Sequence, residues 1–293
     1  MTKTKGACPP PIERWGDYTI IWIDSENIDA HLEFMKENAV DGVGINAVRG
    51  YTASDVSFLE RIPEVEGVVT VPGGRPLDAS AILGLRKLRF LSLGETDFAL
   101  DLDVFPDLEE YRGDCGPKFH ISERSRSIRS LRLRHFRPKS RDLSDFPALP
   151  CVRELGLIQS SINSIRGLAQ LRALERLELA YCRSLTTLAA SAWPRLQMLE
   201  CSNCRALVSY DALANVKTLR SLRLNSCGTI PSLQFISSLP ELTELRFVDT
   251  DVRDGDMRPL FRLQEIAFTN KRGFSHTWQE VEREIAAKAG NGP

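Results

Sequence analysis

One frame of apolar residues recurs eleven times along the 293-residue chain and constrains its fold more than any single motif. In Leu174-Glu-Arg-Leu177-Glu-Leu179-Ala-Tyr-Cys182, apolar side chains stand at offsets 0, 3 and 5 and a small one at offset 8. The frame opens at Val40, Val65, Leu88, Leu108, Ile128, Val152, Leu174, Leu196, Leu219, Leu242 and Leu263, at spacings of 20 to 25 residues. Of the 33 positions at the first three offsets, 31 are apolar, the exceptions being Thr70 and Gly113. A hydrophobic content of 42% would fill about 14 of them, so the period is a property of the fold.

Offsets 3 and 5 are two residues apart, so on a strand both side chains point to one side and those at offsets 2, 4 and 6 to the other. A strand this short cannot bury its apolar side alone. It needs neighbours above and below, which predicts parallel strands stacked ~4.8 Å apart. The return segment carries apolar residues at every third position, as in Ile162, Ile165, Leu168 and Leu171, a spacing that suits 3₁₀ turns better than α-helices. Pro106, Pro150, Pro194 and Pro240 each precede a frame by two residues, where no ladder donor is needed. Open stacks require caps. Tyr18–Ile23 reads as a strand, and Ser25–Asn38 as a helix with Ile28, Leu32 and Met35 on one face and Ser25 as N-cap. Thr277–Ala289 reads as a closing helix with Trp278, Val281 and Ile285 at helical spacing. The expected organisation is therefore a flexible segment and cap over 1–39, repeats over 40–271 and a helical cap over 272–293. Residues 1–14 and 290–293 are expected to be mobile, and the Gly- and Pro-bearing stretch 111–127 to bulge from the array.

Over residues 40–271 the pattern resembles the leucine-rich repeat, specifically its internalin-like subclass of roughly 22 residues. The copy Ile162, Ile165, Leu168, Leu171, Leu174, Leu177, Leu179, Cys182 and Leu185 matches the extended signature. The resemblance implies an α/β solenoid of about eleven repeats: a curved parallel sheet, 3₁₀ or short helical segments on the convex side, and a concave sheet face that binds partners. It also implies that offset 8, usually Asn in related repeats, satisfies backbone groups of the turn, with Cys as a small buried substitute.

Motifs for chemistry are weak by comparison. Cys201-Ser-Asn-Cys204, with Cys182 and Cys227 one repeat away on either side, would suggest zinc if met alone. Within the frame, Cys182, Cys204 and Cys227 all fall at offset 8 and Cys201 at offset 5, which favours a packing role. Asp249–Asp256 fails as a calcium loop, because placing Gly255 sixth puts Val252 third. Gly42, Gly44 and Gly50 miss the dinucleotide spacing, and there is no P-loop, GxSxG or HExxH. His31, His120, His135 and His276 make no nucleophile–base pair by spacing. No catalytic, metal or cofactor residue is assigned, and the reading is non-enzymatic. Thirty-eight basic against 39 acidic residues give a net charge of −1, with no global pull toward nucleic acid or membrane. Seven scattered cysteines point to reduced thiols, and neither an export signal nor an 18-residue apolar run is seen, so a cytoplasmic location is expected.

Function then falls to the exposed strand face. Offset 4 reads Gly44, Val69, Ser92, Arg112, Arg132, Gly156, Glu178, Glu200, Arg223, Arg246 and Ala267: a basic block, an acidic block and a second basic block. Offsets 2 and 6 add Phe90, Arg176 and Met198, then Arg134 and Ile158, and Tyr181 stands at a strand end. Phe90, Ile158 and Met198 are expected to face water as anchors for a partner. Blocked charge suits a complementary protein surface, although Arg176, Glu178, Glu200 and Arg223 would also suit mutual pairing. Residues 124–141 hold seven Arg and one Lys without an acid, and only Phe136 lies near to stack on bases, so protein is preferred to nucleic acid as the partner. The sequence thus predicts a protein-binding module using its concave face. Its likeness to small bacterial cytosolic repeat proteins further implies an immunity protein that occludes a toxin. An adaptor or effector scaffold, or nucleic-acid binding through 124–141, is the alternative.

Overall fold

A computed structural model of the chain describes residues 9–71, 73–74, 77–95, 98–189 and 195–290. Pro194 and the expected mobile ends at 1–8 and 291–293 lie outside the described residues. The chain divides into two compact units, Met1–Leu131 and Arg132–Pro293.

In the first unit, β2 (Tyr18–Ile23), β3 (Gly42–Asn46), β4 (Gly67–Val71), β5 (Phe90–Leu93) and β6 (Glu110–Asp114) pair in parallel, in chain order. The register follows the frame, with Val43, Val68, Leu91 and Tyr111 side by side and all buried. A strand the sequence did not reveal, β1 (Ile12–Trp15), pairs antiparallel with β2 through a turn at Gly16, whose φ of 62° favours glycine. Residues 12–14 are therefore ordered rather than mobile. Trp22 Nε1 donates to Glu13 Oε2, and the Trp15 ring packs on Trp22 and Phe90. Helix α1 (Ile28–Glu37) buries His31 and Leu32. Its N-cap is Asn27 rather than Ser25, whose Oγ instead accepts from the amides of Thr52 (2.8 Å) and Ala53 (3.0 Å).

The expected bulge at 111–127 is also corrected. Residues 111–114 belong to β6, in register with β5. His120 then bridges Asp101 through a donated amide to Leu100 O, and Leu102 N donates to His120 O. Asp103 anchors the remainder by accepting from Ser122 N, Ser122 Oγ and Ser125 Oγ. Asp101, Asp103 and His120 bring carboxylates and an imidazole close together, but these serine bonds occupy Asp103.

Strand β7 (Ser130–Arg134) crosses the boundary between units. In the second unit β8 (Glu154–Ile158), β9 (Arg176–Ala180), β10 (Met198–Ser202), β11 (Ser221–Asn225), β12 (Glu244–Phe247) and β13 (Glu265–Phe268) are parallel and in chain order. Leu155, Leu177, Leu199, Leu222 and Leu245 form one buried file and Leu157, Leu179, Cys201 and Leu224 another. Burying each leucine is worth ~1.5–3 kcal/mol. The return segments hold 3₁₀ turns at Leu168–Gln170, Asp211–Asn215, Gln234–Ser238 and Arg258–Arg262, as the three-residue spacing predicts.

Offset 8 carries a file of side chains that satisfy the carbonyls of the preceding rung. Cys182 Sγ donates to Leu157 O (3.5 Å), Cys204 Sγ to Leu179 O (3.3 Å), Cys227 Sγ to Cys201 O (3.2 Å) and Thr250 Oγ1 to Leu224 O. Thr250 shows the role belongs to the position and not to sulfur. Cys201 is fully buried, and burial pushes its thiol well above the ordinary range, the behaviour of a packing residue. Helix α2 (Trp278–Gly290) closes the unit. Thr277 and Glu280 form a reciprocal capping box, Trp278 Nε1 donates to Ile266 O of β13, and Val281 is buried.

Candidate protein-binding surface

The strand face of each unit, opposite its leucine files, is where alternation leaves side chains free of the core. In the first unit aromatic rings cover much of it. Glycines at Gly42, Gly44 and Gly67 open a trough across β3 and β4, and a Cβ at Gly44 would collide with the Trp22 ring. Tyr18 stacks on Phe90 (5.5 Å, 23° between planes), and Ile20, two residues on, stands in register with Gly42, Gly67 and Phe90. Ile20, Trp22, Val69 and Phe90 form a buried cluster with Trp15 and Tyr18 packed against it. Phe90 is 0% exposed, so it is a core residue of the capping hairpin and does not face water as the sequence led us to expect. Arg112 is half-exposed, pairs with Glu110 and lies 5.9 Å from the Phe90 ring. Arg49 stacks on Trp22 at 4.4 Å. The repeat frame does not encode this aromatic cover, although the glycines at offsets 2 and 4 signal that something must fill the space.

The second unit keeps its strand face open. Pairing sets Gly156, Glu178, Glu200, Arg223 and Arg246 side by side at the middle of successive strands. Arg132 reaches past Gly156 to Glu178 (Nη2 to Oε1, 2.8 Å), and a Cβ at Gly156 would press on Arg132 Cγ at 3.1 Å. Glu178 and Glu200 are direct neighbours of like charge, which disfavours ionising both. Partial burial, with Glu200 adding to it against the pull of Arg132, raises the Glu178 carboxyl above its ordinary range. Arg223 pairs with Glu244 at 3.0 Å and with Glu200 at 3.8 Å, while Arg246 pairs with Glu244 and with Glu265 at 3.4 Å. Arg176 pairs with Glu154 of the neighbouring strand. Burial opposes ionisation of Glu244, but the Ser221 hydroxyl with Arg223 and Arg246 holds its carboxyl below the usual range. These pairs fix the side chains into a mosaic.

Apolar side chains interrupt that mosaic. Ile158 and Met198 are half-buried, Val248 is exposed, and Tyr181 is 50% exposed. Tyr181 stands in a row the sequence did not disclose. His135, Gln159, Tyr181, Asn203, Ser226 and Asp249, at offset 7 of successive repeats, all adopt left-handed backbone with φ of 50–57°. There the chain leaves its strand, and the amides of the first five donate to the offset-6 carbonyl of the next rung, as Tyr181 N does to Ser202 O. Asn, Asp and His tolerate this conformation and were a partial signal. Tyrosine does not. The basic run 124–141 is dispersed: Arg129 pairs with Glu109, Arg132 and Arg134 lie on the strand, and Arg137, Lys139 and Arg141 follow the turn at His135.

No protein-family model matches the chain, and no curated protein does. Among solved structures, an internalin from Listeria monocytogenes shares 16% identity over 86% of this chain and 87% of its own, with a TM-score of 0.44. Internalin C2 of the same organism shares 16% over 66% and 84%, at 0.35. A leucine-rich repeat protein of Leptospira interrogans shares 13% over 84% and 82%, at 0.31. By the geometry of its own rungs, with short parallel strands, 3₁₀ returns and an offset-8 hydrogen-bonding file, this chain has a leucine-rich repeat fold.

Proposed function

We propose that the chain is a protein-binding module and that the strand face of its second unit is the working surface. Arg132, Arg134, Ile158, Arg176, Glu178, Tyr181, Met198, Glu200, Arg223 and Arg246 would meet the partner there. Arg112 belongs to the first unit and Phe90 to its core, so neither joins this group. One observation carries the reading: alternating basic, acidic and basic charges are held in place by cross-rung ion pairs around partly exposed Ile158, Met198 and Tyr181. A pre-set mosaic of this kind gives orientation and partner choice, while half-buried apolar side chains supply contact energy.

The finer reading is a steric inhibitor, an immunity protein covering the active site of a bacterial toxin, located in the cytoplasm. Affinity capture from native extract, with Arg132→Glu/Arg134→Glu as the control, tests the binding reading. Co-expression with each toxin encoded beside this chain tests the finer one. Protection from one of them is expected, and failure against all removes the immunity role but leaves the binding role.

A further inference from the structure

A second feature of the same unit lies outside the strand face. Where β10, β11 and β12 end, a hollow of about 620 Å³ opens among Arg205, Val208, Ser226, Gly228, Thr229 and Arg253, with Cys227, Asp249 and Asp251 also on its walls. One glycine lies in its wall. Offset 9 is Arg183, Arg205, Gly228 and Asp251 on consecutive rungs, so the third rung lacks the side chain that its neighbours carry. A Cβ at Gly228 would collide with the Leu207 carbonyl, which leaves glycine as the residue that fits there.

The charges around this gap differ from those on the strand face. There Arg132, Arg176, Arg223 and Arg246 are each paired with a glutamate. Arg205 and Arg253 are exposed, and neither has a carboxylate within ion-pair distance among the described residues. Of the two acids in the walls, Asp251 is neutralised by Lys271 at 2.7 Å, and Asp249 accepts from Thr269 Oγ1 at 3.2 Å. The hydroxyls of Ser226 and Thr229 have no hydrogen-bond partner among the described residues, and Val208 offers an apolar rim at 57% exposure. Two unpaired guanidiniums and two unused hydroxyls around one hollow match the donor set that an oxyanion needs.

We propose that this hollow is a binding site for an oxyanion, a carboxylate or a phosphate group, held by Arg205 and Arg253 with Ser226 and Thr229. It rests on the protein-binding reading only for the source of the anion, an acidic or phosphorylated side chain of the partner. The test is an amide NMR titration of the full chain with inorganic phosphate and, separately, with acetate at matched ionic strength. We expect saturable shifts at Gly228 and Thr229 with at least one ion, weakened at least about fivefold in Arg205→Gln/Arg253→Gln. Saturation by phosphate alone would assign a phosphorylated side chain, and by acetate alone an acidic one. Absence of saturable shifts with both ions, or shifts unchanged in the double variant, would overturn the site. Because the probes are simple ions, failure here is separate from failure of partner capture.

Discussion

At the scale of single residues, the two positions where the apolar frame breaks each have a local cause, volume at Gly113 and a hydrogen bond at Thr70. Tyr111 fills offset 3 of its rung with a ring too long for the file, and Gly113 at offset 5 yields the room. A Cβ at Gly113 would collide with the Tyr111 hydroxyl and press on Leu93 O at 2.8 Å. Thr70, the other exception, is buried, and its Oγ1 accepts from Gly94 N at 3.3 Å. Gly113→Ala should therefore cost about 1–3 kcal/mol in urea unfolding, as overpacked cores do. Adding Tyr111→Leu should recover part of that loss, and strictly additive costs would contradict the account. The frame positions themselves were legible because burial on a strand obeys a period of two. Phe90 was not, because it lies on the exposed parity and is buried by rings from a hairpin distant in sequence.

At the scale of elements, the caps and turns hold what the period cannot encode. Helix α1 and the closing helix were readable from apolar spacing, but β1 is only four residues long and gains its order from Trp15 and Glu13 contacts. His31 of α1 is 3% exposed and accepts from Asp24 N through Nδ1 at 3.3 Å. Burial lowers its pKa below the ordinary 6.5, against an opposing pull from Asp24. The unfolded chain then takes up the proton first as pH falls through 6.5, so stability is intact above that pH and declines below it. His31→Leu should flatten the difference between urea unfolding at about pH 7.5 and 5.5; an unchanged slope would exclude His31 as its source. The left-handed row makes a second test. Tyr181→Asn should raise stability by up to about 1 kcal/mol, since asparagine accepts φ near 56° more readily, while weakening partner capture. A gain in stability with full binding would remove Tyr181 from the surface.

At the scale of the molecule, two repeat units carry strand faces of different character. The first spends its face on a hairpin seated in a glycine trough, and the second leaves a charged mosaic open beside a hollow lined by Arg205 and Arg253. Charge order along the second face was legible, because offset 4 maps directly onto neighbouring strands. Which charges would be paired was not, since Arg132 finds Glu178 by spanning a glycine rung. Among the described residues no helix is long and apolar enough to cross a membrane. We propose that the second unit's strand face captures a protein. The most direct measurement is the dissociation constant of the captured partner for the native chain and for Arg132→Glu/Arg134→Glu, with circular dichroism to verify the fold. Binding should weaken by more than ~1.4 kcal/mol, a factor of ten, with the spectrum unchanged. Equal affinity in the two chains would contradict it.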